Sequence, residues 1–384
     1  MRYELGADTL RGARIVVIGG GAVGAALSYR LAQAGAQTVV VERNYAGSGT
    51  SGNSFAWLNG FSKTPRHYHR LNIMSIRDHQ DLADELGGSW AHIDGAIHWE
   101  PEDHQVQADK MRRDVARLRE WGVRVDQTSP ELVMQELEPD LWIDPERVSN
   151  VYVVPREGWL EGVTMAHRVI HAAIVRYGAC LERANVTGFR GSDAAVSGVL
   201  LGDGRELPAD VVINAAGPEA GRISALAAAG LPLDRQIGMF FTTAPAPVCL
   251  NHVVYGSTVR MRPDGLSRIA SHPEYLDGHA VEGVLTSVMD PVIQRGREDA
   301  EAVMPGLAGV PVEAVRIGVR PMPRDGQPIV GFDPQISGLY TVVTHSGITL
   351  AARLALLVTE ELSGGDTSEL EPYRPSRFAA NLLS

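Results

Sequence analysis

The stretch RIVVIGGGAVGAALSYRLAQAGAQTVVVER, Arg14 to Arg43, decides the fold. Ile15 to Ile18 is a β-branched apolar run, the composition of a strand buried on both faces. Gly19, Gly21 and Gly24 then spell G-x-G-x-x-G, helix formers run from Ala25 to Ala34, and Gly35 stops them. A second apolar run, Thr38 to Val41, ends in Glu42. Gly19 allows a tight turn, Gly21 a close approach of backbone to a pyrophosphate, and Gly24 close packing of helix on strand. The helix N-terminus, at Ala22 and Val23, presents N–H groups to phosphates. Glu42 stands 18 residues beyond Gly24, where a carboxylate accepts hydrogen bonds from a ribose diol and repels a 2′-phosphate. Arg43 follows at the same rim. Together these features predict a dinucleotide site that disfavours NADP.

The rest of the composition fits an enzyme with two domains. The 384 residues are enough for two cores, 44% are hydrophobic and 21% charged, and no apolar run is long enough to span a bilayer. A formal charge of −11 argues against nucleic acid as the main partner, because phosphate binding needs a basic face. Cys180 and Cys249 are the two cysteines, too few for a disulfide framework or a zinc quartet and suited to a reducing cytoplasm. The opening MRYELGADTLRGAR lacks the apolar centre of a signal peptide. His67 and His69 have no third ligand near them in sequence, so no metal site is expected.

The residues after Glu42 separate NAD from FAD. An NAD-type half would continue into another helix and strand. Here the chain runs NYAGSGTSGNS, Asn44 to Ser54, too polar for either. Gly49, Thr50, Ser51, Asn53 and Ser54 form an open loop of small groups that can reach a second side of a pyrophosphate.

The succession GGGAVGAALSYRLAQAG, VVER, GSGTSGNS resembles the N-terminus of the FAD-dependent D-amino acid oxidase family, which includes glycine and sarcosine oxidases and amino-acid dehydrogenases. Later segments resemble it in the same order over nearly the whole chain. ERANVTGFR is similar to the strand beside the adenine, with Val186 at the position that uses its backbone there. DVVINAAGPEAG is similar to the returning strand, with Ala215, Ala216 and Gly217 near the cofactor. GVRPMPRDGQPIVGF and GLYTVVTHSGITLAARLALLVTEEL resemble the C-terminal signature. The resemblance implies FAD. Some members attach it through cysteine or histidine, but neither cysteine lies in the C-terminal signature or the hydroxyl loop, and that loop has no histidine. Non-covalent FAD is therefore expected.

The expected fold is α/β, a Rossmann-type FAD-binding domain with a discontinuous α+β substrate domain built on an antiparallel sheet. Residues 1–84, 151–230 and 321–384 are assigned to the FAD domain, and 85–150 and 231–320 to the substrate domain. Helices are predicted at Arg66–Leu86, Gln105–Trp121 and Glu161–Tyr177, each followed by a glycine, with strands in WAHIDGAIHWE, at Val123–Val125, and in QIGMFFTTA, STVRMRP and SRIAS.

Near the C-terminus, Leu339 to Val343 reads as a buried strand, His345-Ser346-Gly347 as a turn, and Ile348 to Leu362 as a helix. A helix starting beside the flavin aims its positive end at the ring and stabilises a reduced anion. The N–H groups of Gly347, Ile348 and Thr349 are the candidates. His345 is read as a flavin-loop contact or a catalytic group. In relatives that oxidise glycine and D-amino acids, the arginine of a similar G-hydrophobic-R-P segment grips the substrate carboxylate, which implies that role for Arg320; an ion pair inside the domain interface is the structural alternative. Arg260 falls where a related glycine oxidase places a pocket tyrosine, and strand alternation turns Arg260 and Arg262 to one face. The loop THSGIT is shorter than its counterpart in glycine oxidase and lacks a second arginine, which puts glycine in doubt as the substrate. A lysine over the flavin assists oxygen in some relatives, and the sequence places none.

The expected function is FAD-dependent oxidation of the C–N bond of an amino acid or secondary amine, by hydride transfer to flavin N5 and with oxygen or another acceptor completing the cycle. A 2-hydroxy acid oxidoreductase, with His345 as proton acceptor, and a flavin-binding partner subunit without turnover of its own remain the alternatives.

Overall fold

The computed structural model describes residues 10–256, 258–265, 267–366 and 368–381; the expectation for the first nine residues lies outside them. The opening motif forms as read. Arg14–Ile18 is a strand buried from Ile15 onward, Ala22–Gln33 is a helix, and Gln37–Glu42 is a second strand. Arg14–Ile18 lies between Gln37–Glu42 on one side and Val211–Asn214 on the other, parallel to both. Leu339–Val343 joins Val211–Asn214 in parallel, Cys180–Arg183 joins the outer edge of Gln37–Glu42, and Ile329–Phe332 closes the opposite edge antiparallel. Val211–Asn214 and Leu339–Val343 are buried at every residue, as expected of inner parallel strands covered on both faces. Helices Ala22–Gln33, Gly162–Tyr177, Arg66–Leu86 and Gly347–Leu362 bury their apolar sides in the core beside this sheet.

Among the described residues a second sheet holds eight strands. Its longest pair is Leu233–Thr243 against Val312–Pro323, antiparallel from Leu233↔Pro323 to Thr243↔Val312. Three expectations need correction here. The sheet is mixed, because Val253–Tyr255 runs parallel to Ala96–Trp99. The boundaries at 150 and 320 both cut through it. Val151–Val154 pairs with Ala96–Trp99 and Asp126–Thr128, and Val151 packs with Ile97, Met239 and Phe241 in that domain's core. Val312–Pro323 continues past 320 because its partner strand does. Finally, the strand expected at Val123–Val125 forms at Asp126–Thr128. The Val125 carbonyl accepts from the Arg119 guanidinium, and its side chain packs against Met111, Val115 and Leu118; pairing starts one residue later.

Among the described residues no helix is long and apolar enough to cross a membrane. Gly87 and Gly178 end their helices in the left-handed conformation, at φ 63° and 72°, which a Cβ would disfavour.

Candidate active site

One cavity of about 520 Å³ takes in the glycine turn, the hydroxyl loop and the start of the C-terminal helix. Gly19, Gly21, Ala22 and Val23 line it from one side, Glu42 and Arg43 from the next strand end, Ala215, Ala216 and Gly217 from the returning strand, and Val186 beyond them. Gly24 lies behind the turn. A Cβ there would stand 1.9 Å from the Gly19 carbonyl oxygen, and one on Gly19, at φ 106°, would stand 2.6 Å from that of Ala215. The turn is therefore closed to side chains by backbone on two sides. Glu42 accepts from the Gly20 N–H at 2.8 Å and from the Asn44 N–H at 2.9 Å, which fixes its carboxylate at the cavity edge.

The hydroxyl loop is tied down more than its sequence implied. Gly49, Thr50, Ser51, Asn53 and Ser54 all face the cavity, but several of their polar groups hold the protein together. Ser51 Oγ accepts from the Ala22 N–H at 3.0 Å, the Thr50 hydroxyl donates to the Val319 carbonyl, and Ser54 Oγ accepts from the Ala56 N–H. The Asn53 amide donates back to Gly49 O at 3.0 Å. The loop ties the turn of one domain to the long strand of the other.

Two helices point their N-termini into this space. Neither Gly21 nor Ser346, the residues that precede these helices, caps them with its own side chain, although Ser51 Oγ takes the Ala22 N–H, and Gly347, Ile348 and Thr349 line the cavity. Partial positive charge at both helix starts suits phosphate at one and a developing anion at the other. A Cβ-free turn, a fixed carboxylate, and two helix N-termini in one cavity fit a flavin dinucleotide.

The far part of the cavity is charged. Arg320, Arg260, His345 and Lys63 all line it. Arg320 pairs with Asp277 and donates to Ile237 O at 3.1 Å, while its Nε is buried without a hydrogen-bond partner. Arg320 is thus ion-paired, as the structural alternative expects, and its guanidinium also lines the cavity. Asp277 also accepts from the Met239 N–H and meets His272 Nε2, each at 2.9 Å. Burial opposes its ionisation, yet His272, Arg320 and the Met239 N–H bring its carboxyl down to about 2. Of the two arginines in the VRMRP segment, Arg260 reaches the cavity. Arg262 is buried beside it, bonded to Phe55 O and Asp264, with its guanidinium 4.7 Å from the Trp159 ring centre. Burial, then the charges of Lys63 and Arg320, push His345 down to about 3, so it is neutral at ordinary pH.

Sequence reasoning missed several groups at this end, among them Lys63, Asp277, Gly238, His272 and Glu274. Lys63, which the sequence did not place, lines the cavity: its Nζ donates to Ser346 Oγ at 3.1 Å, and Tyr68 Oη meets the same oxygen at 2.8 Å. Burial, then the repulsion of Arg260 and Arg320, lowers Lys63 to about 8 against the pull of Glu157. Gly238 belongs with them because a Cβ there would stand 2.9 Å from the Arg320 guanidinium; the guanidinium lies on bare backbone. Gly238 faces Gly318 across the long strand pair, and a paired glycine in GMFF and GVRP was the available signal.

Comparison with known proteins agrees with this geometry. The family described as FAD dependent oxidoreductase (DAO) matches residues 14–361. A subunit of opine oxidase from Agrobacterium tumefaciens is 25% identical over 95% of this chain and 98% of its own length. The crystal structure of glycine oxidase from Geobacillus kaustophilus superimposes with a TM-score of 0.81 at 25% identity, covering 95% of this chain and 99% of that one. L-proline dehydrogenase from P. horikoshii shares the fold, with a TM-score of 0.84 at 22% identity over 97% and 99% of the two chains.

Proposed function

This chain belongs to the DAO family of FAD-dependent oxidoreductases, and on that premise we propose that it oxidises the carbon–nitrogen bond of an amino acid or related secondary amine. Its cofactor FAD, when bound, supplies a hydride acceptor at flavin N5. The observation that carries the proposal is Arg320, a guanidinium on the same cavity as the glycine turn, with Asp277 on one nitrogen and Nε unpartnered. Arg320 grips the substrate carboxylate through its remaining donors, and Asp277 and Gly238 hold the fork in place. That grip fixes the α-carbon and lowers the entropic part of the barrier. Glu42 and the backbone of Gly19, Gly21, Val186, Ala215 and Gly217 hold the dinucleotide, and the N–H groups of Gly347 to Thr349 favour negative charge on its ring system.

An amine with a free lone pair needs no dedicated base. His345, neutral and with a proton affinity as low as its cavity imposes, is a poor proton acceptor for a 2-hydroxy acid. The named activities of the opine and glycine oxidases support an amine substrate. Neither Cys180 nor Cys249 lines the cavity, which supports FAD held without a covalent bond through cysteine.

The test is anaerobic bleaching of the purified flavoprotein by amino acids, N-alkyl amino acids and 2-hydroxy acids. Bleaching by amines is expected. Bleaching by 2-hydroxy acids and not by amines overturns the proposal, and no bleaching by any of them assigns the chain to a flavin-binding subunit. Admitting oxygen afterwards distinguishes an oxidase from a dehydrogenase, and acid precipitation should release the flavin into solution.

A further inference from the structure

We propose that the substrate carries a second carboxylate, and that Arg260 receives it in place of Glu274. The proposal rests on the reading of this cavity as a site of C–N oxidation.

Two arginines face the far part of the cavity, and each meets a carboxylate from one short segment: Arg260 meets Glu274, and Arg320 meets Asp277. The two pairs are built differently. Asp277 is 20% exposed and is also held by the Met239 N–H and by His272. It is a fixture of the fold. Glu274 is 73% exposed and is held by its ion pair with Arg260. Exposed ion pairs contribute little, so exchanging Glu274 for another carboxylate costs little.

Arg260 is the opposite of its partner. Its side chain is 18% exposed, its guanidinium lies 4.8 Å from the Tyr255 ring centre, and its Nε is buried without a hydrogen-bond partner. A charge so far out of water is best matched by a carboxylate that is also out of water. The charge count of the cavity agrees. Among the described residues six cations line it: Arg43 and Arg222 pair with Glu219, Lys110 pairs with the buried Asp114, and Lys63, Arg260 and Arg320 remain, with Lys63 feeling the charge of both Arg260 and Arg320. Asp277 serves Arg320, and Glu157 lies below Lys63, accepting from the Gly60 and Phe61 N–H groups at 2.7 Å. Arg260 pairs with a carboxylate that stands in solvent; the buried Glu100 also feels its charge, but burial pushes that carboxyl up to about 7.

A ligand that satisfies both forks is a secondary amine with a carboxylate on each arm, of about the span of iminodiacetate. One carboxylate lies on Arg320 and places the α-carbon, and the other displaces Glu274 from Arg260. Nothing in this second contact takes part in bond breaking; it selects the substrate.

The test uses the FAD-loaded protein and two unreactive probes, glutarate, which has the iminodiacetate span with carbon in place of nitrogen, and butyrate, which lacks one carboxylate. Dissociation constants are read from perturbation of the flavin spectrum. Glutarate should bind about tenfold or more tightly than butyrate. Arg260→Gln should bring that ratio close to one, and Glu274→Gln, which removes the competing charge, should widen it. Equal binding of the two probes by the parent protein overturns the proposal, as does a ratio that survives Arg260→Gln. Should Arg260→Gln lose its flavin, the parent ratio and the Glu274→Gln shift still decide. A parent protein bleached by N-ethylglycine that fails to separate the two probes loses the second-carboxylate site and keeps the oxidation reading. One that separates them through Arg260 but is bleached by no amine, iminodiacetate included, overturns the oxidation reading and the substrate assignment with it.

Discussion

The two ends of the cavity are made of different materials. At the glycine turn, backbone does the shaping: Gly19 and Gly24 leave no room for a Cβ against carbonyl oxygens, and polar contacts such as Gly20 to Glu42 and Ala22 to Ser51 lock the turn. At the arginine end, side chains do it. Arg320, Asp277, His272, Arg260, Glu274 and Lys63 come from four separate stretches of chain and set one another's position and charge. A site of backbone tolerates almost no substitution but is indifferent to pH. A site of charged side chains can be retuned one residue at a time, and it titrates. One scaffold can thus keep its cofactor while its substrate changes.

The largest effect should come from the backbone end. Gly24→Val puts branched carbon where a Cβ alone meets the Gly19 carbonyl at 1.9 Å. Relief of such a clash costs about 3 kcal/mol or more, so FAD should bind at least about 100-fold more weakly. The flavin content of the purified variant measures it, and full occupancy would break the contrast between the two ends.

Arg320→Lys comes next. It should retain FAD and lose about 10- to 100-fold in kcat/KM for amino acid substrates, corresponding to about 1.5–3 kcal/mol for a charge-assisted hydrogen bond that a single ammonium cannot replace. A decarboxylated amine should be nearly indifferent to the change. Equal loss with acid and amine would make Arg320 a structural residue.

Gly238→Ala sharpens the comparison, because it is a glycine that belongs to the charged end. Its new methyl would press on a movable guanidinium rather than on backbone. FAD content should stay normal while kcat falls about tenfold through displacement of the substrate. Loss of FAD instead would mean that this position supports the cofactor end.

The smallest effect is the titration. Lys63, lowered to about 8 by burial and by its arginine neighbours, is a cation below that pH and neutral above it. Carboxylate ligands should therefore bind about two- to fivefold more weakly as pH rises through about 8, and Lys63→Met should remove that step from the affinity profile. The backbone end predicts no matching step for FAD.

The turn, its helix and its flanking strands could be read directly from Arg14–Arg43, because the glycine spacing, the apolar runs and the terminal acid are local constraints on φ, ψ and burial. Leu339–Val343 and the helix after it were legible for the same reason. Where the reading slipped, a contact that leaves no periodic pattern had won. Arg119, six residues away, took the Val125 carbonyl and delayed a strand, and Val151–Val154 was claimed by a sheet whose other members extend along the chain to Pro323.

Arg320 and Arg260 were named from the sequence, but what each is worth was not in it. Asp277 lies 43 residues from Arg320 and reaches it because the short helix Tyr275–His279 packs against the strand Leu233–Thr243. Lys63 reaches Ser346 across 283 residues. No periodicity or motif records such meetings, since a polar side chain's partner is fixed by which chain segments the fold brings alongside. The sequence by itself determined the glycine turn with its helix and flanking strands, whose demands are met by residues next to one another. The tertiary structure decided the charge, the exposure and the partner of every group at the substrate end, because in a desolvated cavity those properties belong to the cluster and not to the residue.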